Sequence, residues 1–218
     1  MRDVEIHSNS DELVEAIIGQ SIELLTTVER PKVALSGGSL GIKIASGLVR
    51  ALNDKGELDR YKFFMADERF VSEDDEQSNL GQIRRQIGDL RPDFFEFLLP
   101  PSSAIEDSAN AANNQLEAEF CFDLALLGCG PDGHTASLFP GHSYPADVVV
   151  VEAASPKPPA QRLSFGYRVF EASSNVWFAA SGQEKATAVS QALSGNENLP
   201  VGKITGRSTK WFITEELA

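Results

Sequence analysis

Apolar positions Leu13, Val14, Ile17, Ile18, Leu24, Leu25 and Val28 recur at the spacing of one helix face. They predict an amphipathic helix capped by Ser10 and ended before Pro31. Beyond it the pattern switches to short apolar runs: Lys32 to Leu35, Tyr61 to Met65, Phe122 to Leu127, Val148 to Val151, Arg162 to Phe165, Val176 to Ala180 and Trp211 to Ile213 read as strands. Helical stretches fall between many of them, at Leu40 to Leu52, Asn79 to Ile87, Ala104 to Phe120 and Gln183 to Leu193. Phe122 to Leu127 is apolar except for Asp123, as befits a strand covered on both faces. The alternation predicts an α/β fold: a three-layer open, mostly parallel sheet with helices on both faces. There are too few units for eight-fold barrel closure. Ser155 to Pro159 reads as a stiff surface loop rather than a linker, so residues 1–218 are expected to form a single domain.

A length of 218 residues is ample for one sizeable core. The formal net charge of −13 argues against nucleic acid and anionic membrane as partners, because the overall field repels polyanions. An anionic small molecule must therefore meet a local basic cluster. The opening residues, MRDVEIHSNSDELVEA, lack the apolar centre of a signal peptide, and no later stretch has the roughly eighteen uncharged apolar residues of a membrane span. A cytoplasmic protein is expected. The two cysteines, Cys121 and Cys129, flank opposite ends of one predicted strand, too far apart along an extended segment to bridge, and read as reduced packing residues.

The chemistry concentrates in FDLALLGCGPDGHTASLFPG, Phe122 to Gly141. A buried strand releases its ligand-facing residues at its carboxyl end, and here that end is a glycine-rich turn presenting His134. Gly128, Gly130 and Gly133 permit positive φ and let a ligand approach bare backbone, Pro131 stiffens the turn, and Thr135 to Leu138 reads as a short helical turn. The amides after Gly130 are placed to hold an anion near the His134 ring. By itself such a turn also suits ordinary packing. A metal site shared by His134 and His142 matches no familiar ligand spacing. The turn Ser36 to Ser39 joins strand to helix, so its amides and hydroxyls can cradle phosphate, although a plain packing turn has the same sequence. Asp67-Glu68-Arg69 leaves the end of a strand, so one or two of its charges are expected on the same rim, with the arginine able to grip phosphate and a carboxylate able to orient a histidine or a sugar hydroxyl. Lys157, Arg162, Arg168 and Lys185 are the remaining cations placed near strand ends or turns in the second half of the chain, and GQEKA, Gly182 to Ala186, again reads as a turn opening a helix.

The ordered set ALSGGS (Ala34 to Ser39), ADERFV (Ala66 to Val71) with Ser78-Asn79, LLGCGPDGHTASLFPG (Leu126 to Gly141), SPKPPAQR (Ser155 to Arg162), SGQEKA (Ser181 to Ala186) and the closing WFIT resembles the 6-phosphogluconolactonase family, across nearly the whole chain. The resemblance implies a modified Rossmann-like fold and hydrolysis of 6-phospho-D-glucono-1,5-lactone to 6-phospho-D-gluconate, a step of the oxidative pentose phosphate pathway, without metal or organic cofactor. Carried over, it implies His134 as the general base that activates water and Asp67 as the carboxylate near the reacting sugar. Gly37, Gly38 and Ser39 match the phosphate loop, Arg69 a cationic ligand contact and Lys185 a phosphate-side lysine; Gly133, Lys157 and Arg162 complete the expected substrate contacts. The expected partner is a small-molecule substrate, with neither nucleic acid nor membrane, for a monomer or small homo-oligomer. Leu40-Gly41 and Cys129 depart from the family's common Thr-Pro and methionine without removing a charged group. The related glucosamine-6-phosphate deaminase and isomerase group carries an acid after its histidine turn, where this chain has Leu138-Phe139-Pro140. A non-catalytic sugar-phosphate sensor would need a basic DNA-binding module that the acidic chain does not offer.

Overall fold

The computed structural model describes residues 3–97 and 104–218; Met1 and Arg2 of the polar opening stretch lie outside them. Seven strands build one sheet in the order β1 (Asp3–His7), β10 (Ser208–Thr214), β9 (Asn175–Ala180), β6 (Leu124–Gly128), β2 (Lys32–Leu35), β3 (Lys62–Met65) and β5 (Asp93–Phe95). Every neighbouring pair in it is parallel. From β2 the chain steps to β3 and β5 toward one edge, then returns to β6 on the other side of β2 and proceeds through β9 to β10. The β2–β6 border is therefore the topological switch point, where the loops leaving the strand ends part and a crevice opens. Right-handed crossovers running in opposite directions from that border carry their helices onto opposite faces. On one side α1 (Ser10–Leu25), α2 (Gly38–Asp54) and α3 (Asn79–Ile87) pack in series. The crossovers that run the other way carry α4 (Ile105–Gln115), α6 (Ala186–Leu193) and α7 (Pro200–Lys203).

A smaller antiparallel sheet, β4 (Asp67–Arg69), β8 (Arg162–Phe165) and β7 (Val149–Glu152), stands at the carboxyl end of β3. An aromatic cluster joins it to the main sheet: the Phe64 and Phe122 rings lie 5.4 Å apart, and Phe165 meets Phe122 edge-on at 4.8 Å. All three are buried. Such ring pairs add roughly 0.5–1.5 kcal/mol each beyond the area they cover. This weld holds Asp67 and Arg69 over the strand ends of the main sheet.

Several elements differ from the sequence reading. The α1 cap is Asn9, not Ser10: its side-chain oxygen accepts the Asp11 and Glu12 amides, both at 3.0 Å. The opening segment, to which the sequence reading gave no element, holds β1, an edge strand in which Val4 and Ile6 stay exposed, so alternation never became a buried run. Short β5 and α5 (Tyr167–Ala172) were also unforeseen. α4 stops at Gln115 rather than Phe120, because Leu116 turns to extended backbone. Asp67–Arg69, expected only as charges leaving a strand end toward the rim, is itself a strand, and both Asp67 and Glu68 are buried. Thr135 to Leu138 is not helical: Thr135 and Leu138 bridge each other's backbone across a tight turn with Ala136 at φ 49°. Cys121 and Cys129 are both free. No helix among the described residues is long and apolar enough to cross a membrane.

Candidate active site

The crevice at the switch point is a cleft of about 340 Å³. It is lined from β2 by Ser36 to Gly41, from β4 by Asp67 and Arg69, and from β6 by Gly128 to Pro131 and His134. Lys157, Arg162 and Lys185 close it from the second half of the chain. Of the residues singled out in the sequence, Gly37, Gly38, Ser39, Asp67, Arg69, His134, Lys157, Arg162 and Lys185 all meet here. Gly133 does not. It is buried behind the turn at φ 80°, where a side chain would strike Leu199, so it shapes the turn rather than facing the cleft. Arg168 lies away from the cleft, donating to the Ala146 carbonyl at 3.1 Å.

On the β2 side, the Ser36 hydroxyl donates to the Leu126 carbonyl at 3.0 Å and ties the loop to β6. Gly37 has no side-chain cap to offer, and the first turn of α2 carries no acid, so the amides and positive pole of a 17-residue helix are left for a ligand. A side chain at 37 would displace Asn79, because an added Cβ would overlap the Asn79 side-chain oxygen. Asn79 is fully buried, donates to the Asp67 carbonyl at 3.0 Å, and keeps its Oδ1 without a partner. Arg69 donates through Nη1 to the Gln77 carbonyl at 2.6 Å, and its buried Nε has no partner.

On the β6 side the turn closes on itself, the Gly130 amide donating to the His134 carbonyl and the Gly133 amide to the Gly130 carbonyl, both at 2.9 Å. The Gly130 amide is thus already engaged, and a Cβ there would overlap the His134 ring. The imidazole stacks on Phe139, centroids 4.8 Å apart, and its Nδ1 is hydrogen-bonded to the Asp132 carboxylate. That bond makes Nδ1 the donor and leaves the lone pair on Nε2. Burial lowers the His134 pKa, opposed by the Asp132 hydrogen bond and charge, and the Lys157 charge lowers it further. Burial pushes the Asp132 carboxyl up, but the His134 hydrogen bond and charge together carry it below the usual carboxylate value. Asp67 accepts the Ser137 hydroxyl at 2.6 Å, so it is oriented by Ser137 and not by the histidine.

The cations are held differently. Arg162 is buried and spends Nε and Nη2 on the Pro159, Lys157 and Pro158 carbonyls at 3.0, 2.7 and 3.2 Å, folding the SPKPP loop around itself. Lys157, on that loop, is exposed. Lys185 donates to the Ser181 carbonyl at 2.8 Å, on a loop whose Gly182 amide is held by Glu216 at 3.0 Å. Cys129 also lines the cleft, where burial pushes its thiol up to about 12 and leaves it un-ionised at neutral pH. The sequence pattern assigns no site role to Asp132, Asn79, Ser137 or Phe139. The run Asp-Gly-His was the available signal for Asp132, since a carboxylate two residues before a ring can reach back to it across a glycine.

A parallel open sheet with a glycine-bordered, cation-lined cleft at its switch point, and a carboxylate-held histidine inside, defines the class: an open-sheet α/β protein with its candidate site at the strand ends. The chain belongs to the glucosamine-6-phosphate isomerase and 6-phosphogluconolactonase family, whose sequence profile matches residues 7–213. It is 33% identical to 6-phosphogluconolactonase 3 of Saccharomyces cerevisiae, over 96% of this chain and 92% of that one. It is 32% identical to human 6-phosphogluconolactonase, over 99% of this chain and 92% of the relative. The structure of 6-phosphogluconolactonase from Thermotoga maritima superposes with a TM-score of 0.81 at 27% identity, covering 99% of this chain and 100% of that one. The family resemblance and the open parallel fold expected from sequence are both borne out.

Proposed function

We propose that this chain hydrolyses 6-phospho-D-glucono-1,5-lactone to 6-phospho-D-gluconate, with His134 activating the attacking water. The observation that carries the reading is the Asp132–His134 pair, set in a cleft whose other walls are cations and an uncapped helix N-terminus, in a chain whose relatives bear the lactonase name.

The uncapped start of α2 at Gly37 to Ser39, with Arg69 and Lys185, takes the phosphate. Held there, the phosphate presents the ring carbonyl to His134 and converts remote binding into orientation. Nε2 accepts a proton as water oxygen bonds to the carbonyl carbon, and the carbonyl oxygen becomes an oxyanion beside Lys157. Collapse of that intermediate breaks the bond to the ring oxygen, which receives the proton from the imidazolium and leaves as the sugar hydroxyl. The product carboxyl then ionises. Asp67 accepts a sugar hydroxyl, and Arg162 holds the Lys157 loop in place. A δ-lactone is an activated ester, so a general base worth roughly 10²–10⁴-fold suffices and no covalent nucleophile is required. Leu138 and Phe139 are buried and apolar, so this turn offers no acid for opening an amino sugar.

Two measurements test this reading. Purified protein is expected to form 6-phosphogluconate from freshly generated lactone faster than the buffer background; release of ammonia from glucosamine 6-phosphate without a lactonase increment would sink the assignment. The pH profile follows from the lowered His134 pKa. The base is neutral above that pKa and is lost as pH falls through it, so kcat/KM should be flat near neutrality and fall on an acid limb whose midpoint lies below about pH 6.5. A midpoint clearly above that value removes His134 from the role.

The cations make a separate prediction. Lys185→Ala and Arg69→Ala are each expected to raise KM by roughly ten- to a hundredfold with smaller effects on kcat, as loss of a charge-assisted contact made equally in ground and transition states. Unchanged KM in a folded variant would take that residue out of the phosphate site.

A further inference from the structure

A second polar cluster lies behind the turn that carries Ser137 and Phe139. Glu152, at the end of β7, is 3% exposed, yet its carboxylate is fully engaged. Oε2 accepts the Tyr144 hydroxyl at 2.5 Å and contacts His142 Nδ1 at 2.8 Å, while Oε1 accepts the Ala154 amide at 2.7 Å. Burial pushes this carboxyl up, but the Tyr144, His142 and Ala154 hydrogen bonds outweigh it and keep the group ionised. The Tyr144 oxygen also reaches the turn itself, accepting the Phe139 amide at 3.1 Å and lying 3.2 Å from the Ser137 carbonyl. One phenol thus spans both backbone ends of the 137–139 turn and is itself moored to a buried anion.

The side chains on that turn reach two groups in the cleft. Ser137, fully buried, donates its hydroxyl to Asp67 at 2.6 Å. Phe139 is the plate on which the His134 ring stacks at 4.8 Å, and His142 flanks the other part of that plate at 5.7 Å. None of Tyr144, His142 and Glu152 lines the cleft. The geometry points to Tyr144 and Glu152, with His142, as a positioning network that sets the His134 ring through Phe139 and the Asp67 carboxylate through Ser137. This rests on the reading of His134 as the base.

The energetic logic is that of a rigid support. A base must hold its nitrogen within about half an ångström of the productive position, and a displacement of about 1 Å costs on the order of a hundredfold in rate. Phe139 and Ser137 sit on a non-helical turn with one residue at positive φ, so no regular secondary structure fixes them. To the Thr135–Leu138 bridge and the Ser137 amide's bond to Ser164, the Tyr144 hydroxyl adds a fixture at both ends of the turn, and Glu152 fixes the hydroxyl.

The test is Tyr144→Phe, which removes one oxygen and keeps the ring that packs on Tyr167. Expected results are a kcat lowered roughly 10- to 100-fold with KM within about twofold of wild type, and an unchanged far-UV circular dichroism spectrum. Imidazole titration by NMR without substrate supplies a readout independent of turnover. The His134 ring, faced by Asp132, Asp67 and Lys157, should change its titration midpoint or its Cε1 shift in Tyr144→Phe, while His7, remote on β1, should not. Glu152→Gln should reproduce both changes in weaker form, because an amide oxygen can still accept the Tyr144 hydroxyl. If kcat and the His134 titration both match wild type in folded Tyr144→Phe, the network is not positioning the base. If the wild type itself lacks lactonase activity, the functional reading fails, and the titration alone decides the network.

Discussion

His134→Ala is expected to lower kcat by a factor on the order of 10²–10⁴, with KM for the phosphorylated lactone within about threefold of wild type. The argument for so large an effect is that no neighbouring group can replace the ring. Asp132 reaches Nδ1, on the far side from the basic nitrogen. Asp67 is engaged by Ser137. The Cys129 thiol is held in its protonated form by burial. The argument for a small effect on binding is that the phosphate contacts assigned to α2, Arg69 and Lys185 are separate from the ring. The fold should survive, because the imidazole is partly exposed and lies on Phe139 rather than inside the core. Steady-state assay of the lactone after subtraction of its spontaneous hydrolysis measures the effect, and a variant retaining more than about a third of wild-type kcat would remove the general-base role.

The largest effect on stability is expected at Glu68. In a strand successive side chains alternate faces, so Asp67 and Arg69 line the cleft while Glu68 points the opposite way, into the protein. There its carboxylate accepts the Arg69, Asn79 and Leu80 amides at 2.7, 2.8 and 2.7 Å and the Ser78 hydroxyl at 3.2 Å. Two of those amides open α3, so the carboxylate is an N-terminal anchor supplied from a different element. Burial raises the Glu68 pKa, and the three amides offset that only in part. Glu68→Ala strands several buried donors at once and is expected to cost about 2–4 kcal/mol. For a chain of this size that is a fall in Tm of roughly 5–15 °C. Glu68→Gln, which keeps one acceptor, should lose less. Scanning calorimetry on the three proteins checks the order, and a Tm for Glu68→Ala within about 2 °C of wild type would refute the anchor.

The alternation of Asp67, Glu68 and Arg69 also shows where sequence reading stops. The parallel core was legible because β2, β3, β6 and β9 are apolar runs after at most one polar opening residue, and covered strands leave no other pattern. β4 was hidden, since three charged residues in a row look like a solvated loop, and only partners elsewhere in the chain, Asn79 and Ser137 among them, make their burial tolerable. Edge strands β1 and β5 were missed for the complementary reason: they bury too little to need an apolar run. In the cleft, the glycine loops, the histidine and the cations were legible because glycine and charge at strand ends are uncommon enough to stand out. Asp132 was not, because a carboxylate in a turn is ordinary until its contact with the ring is seen. Gly133 was legible as a turn glycine but not in its direction, which depends on Leu199, far along the chain.

The pairing of β1 with β10 has a consequence for how the molecule is made. Among the described residues β1 precedes every other strand in the chain, yet the neighbour it hydrogen-bonds to, β10, follows all of them. Until β10 is made, Val4 and Ile6 belong to a strand without its partner, while the residues that surround the cleft, Lys185 included, all precede β10 in the chain. Docking of β1 waits on β10, whose Lys210 bridges Glu5 at 2.7 Å and donates to Gln20 at the same distance, joining two segments about 200 residues apart in sequence. A chain ended before residue 208 would keep every residue that lines the cleft and leave β1 without its partner strand.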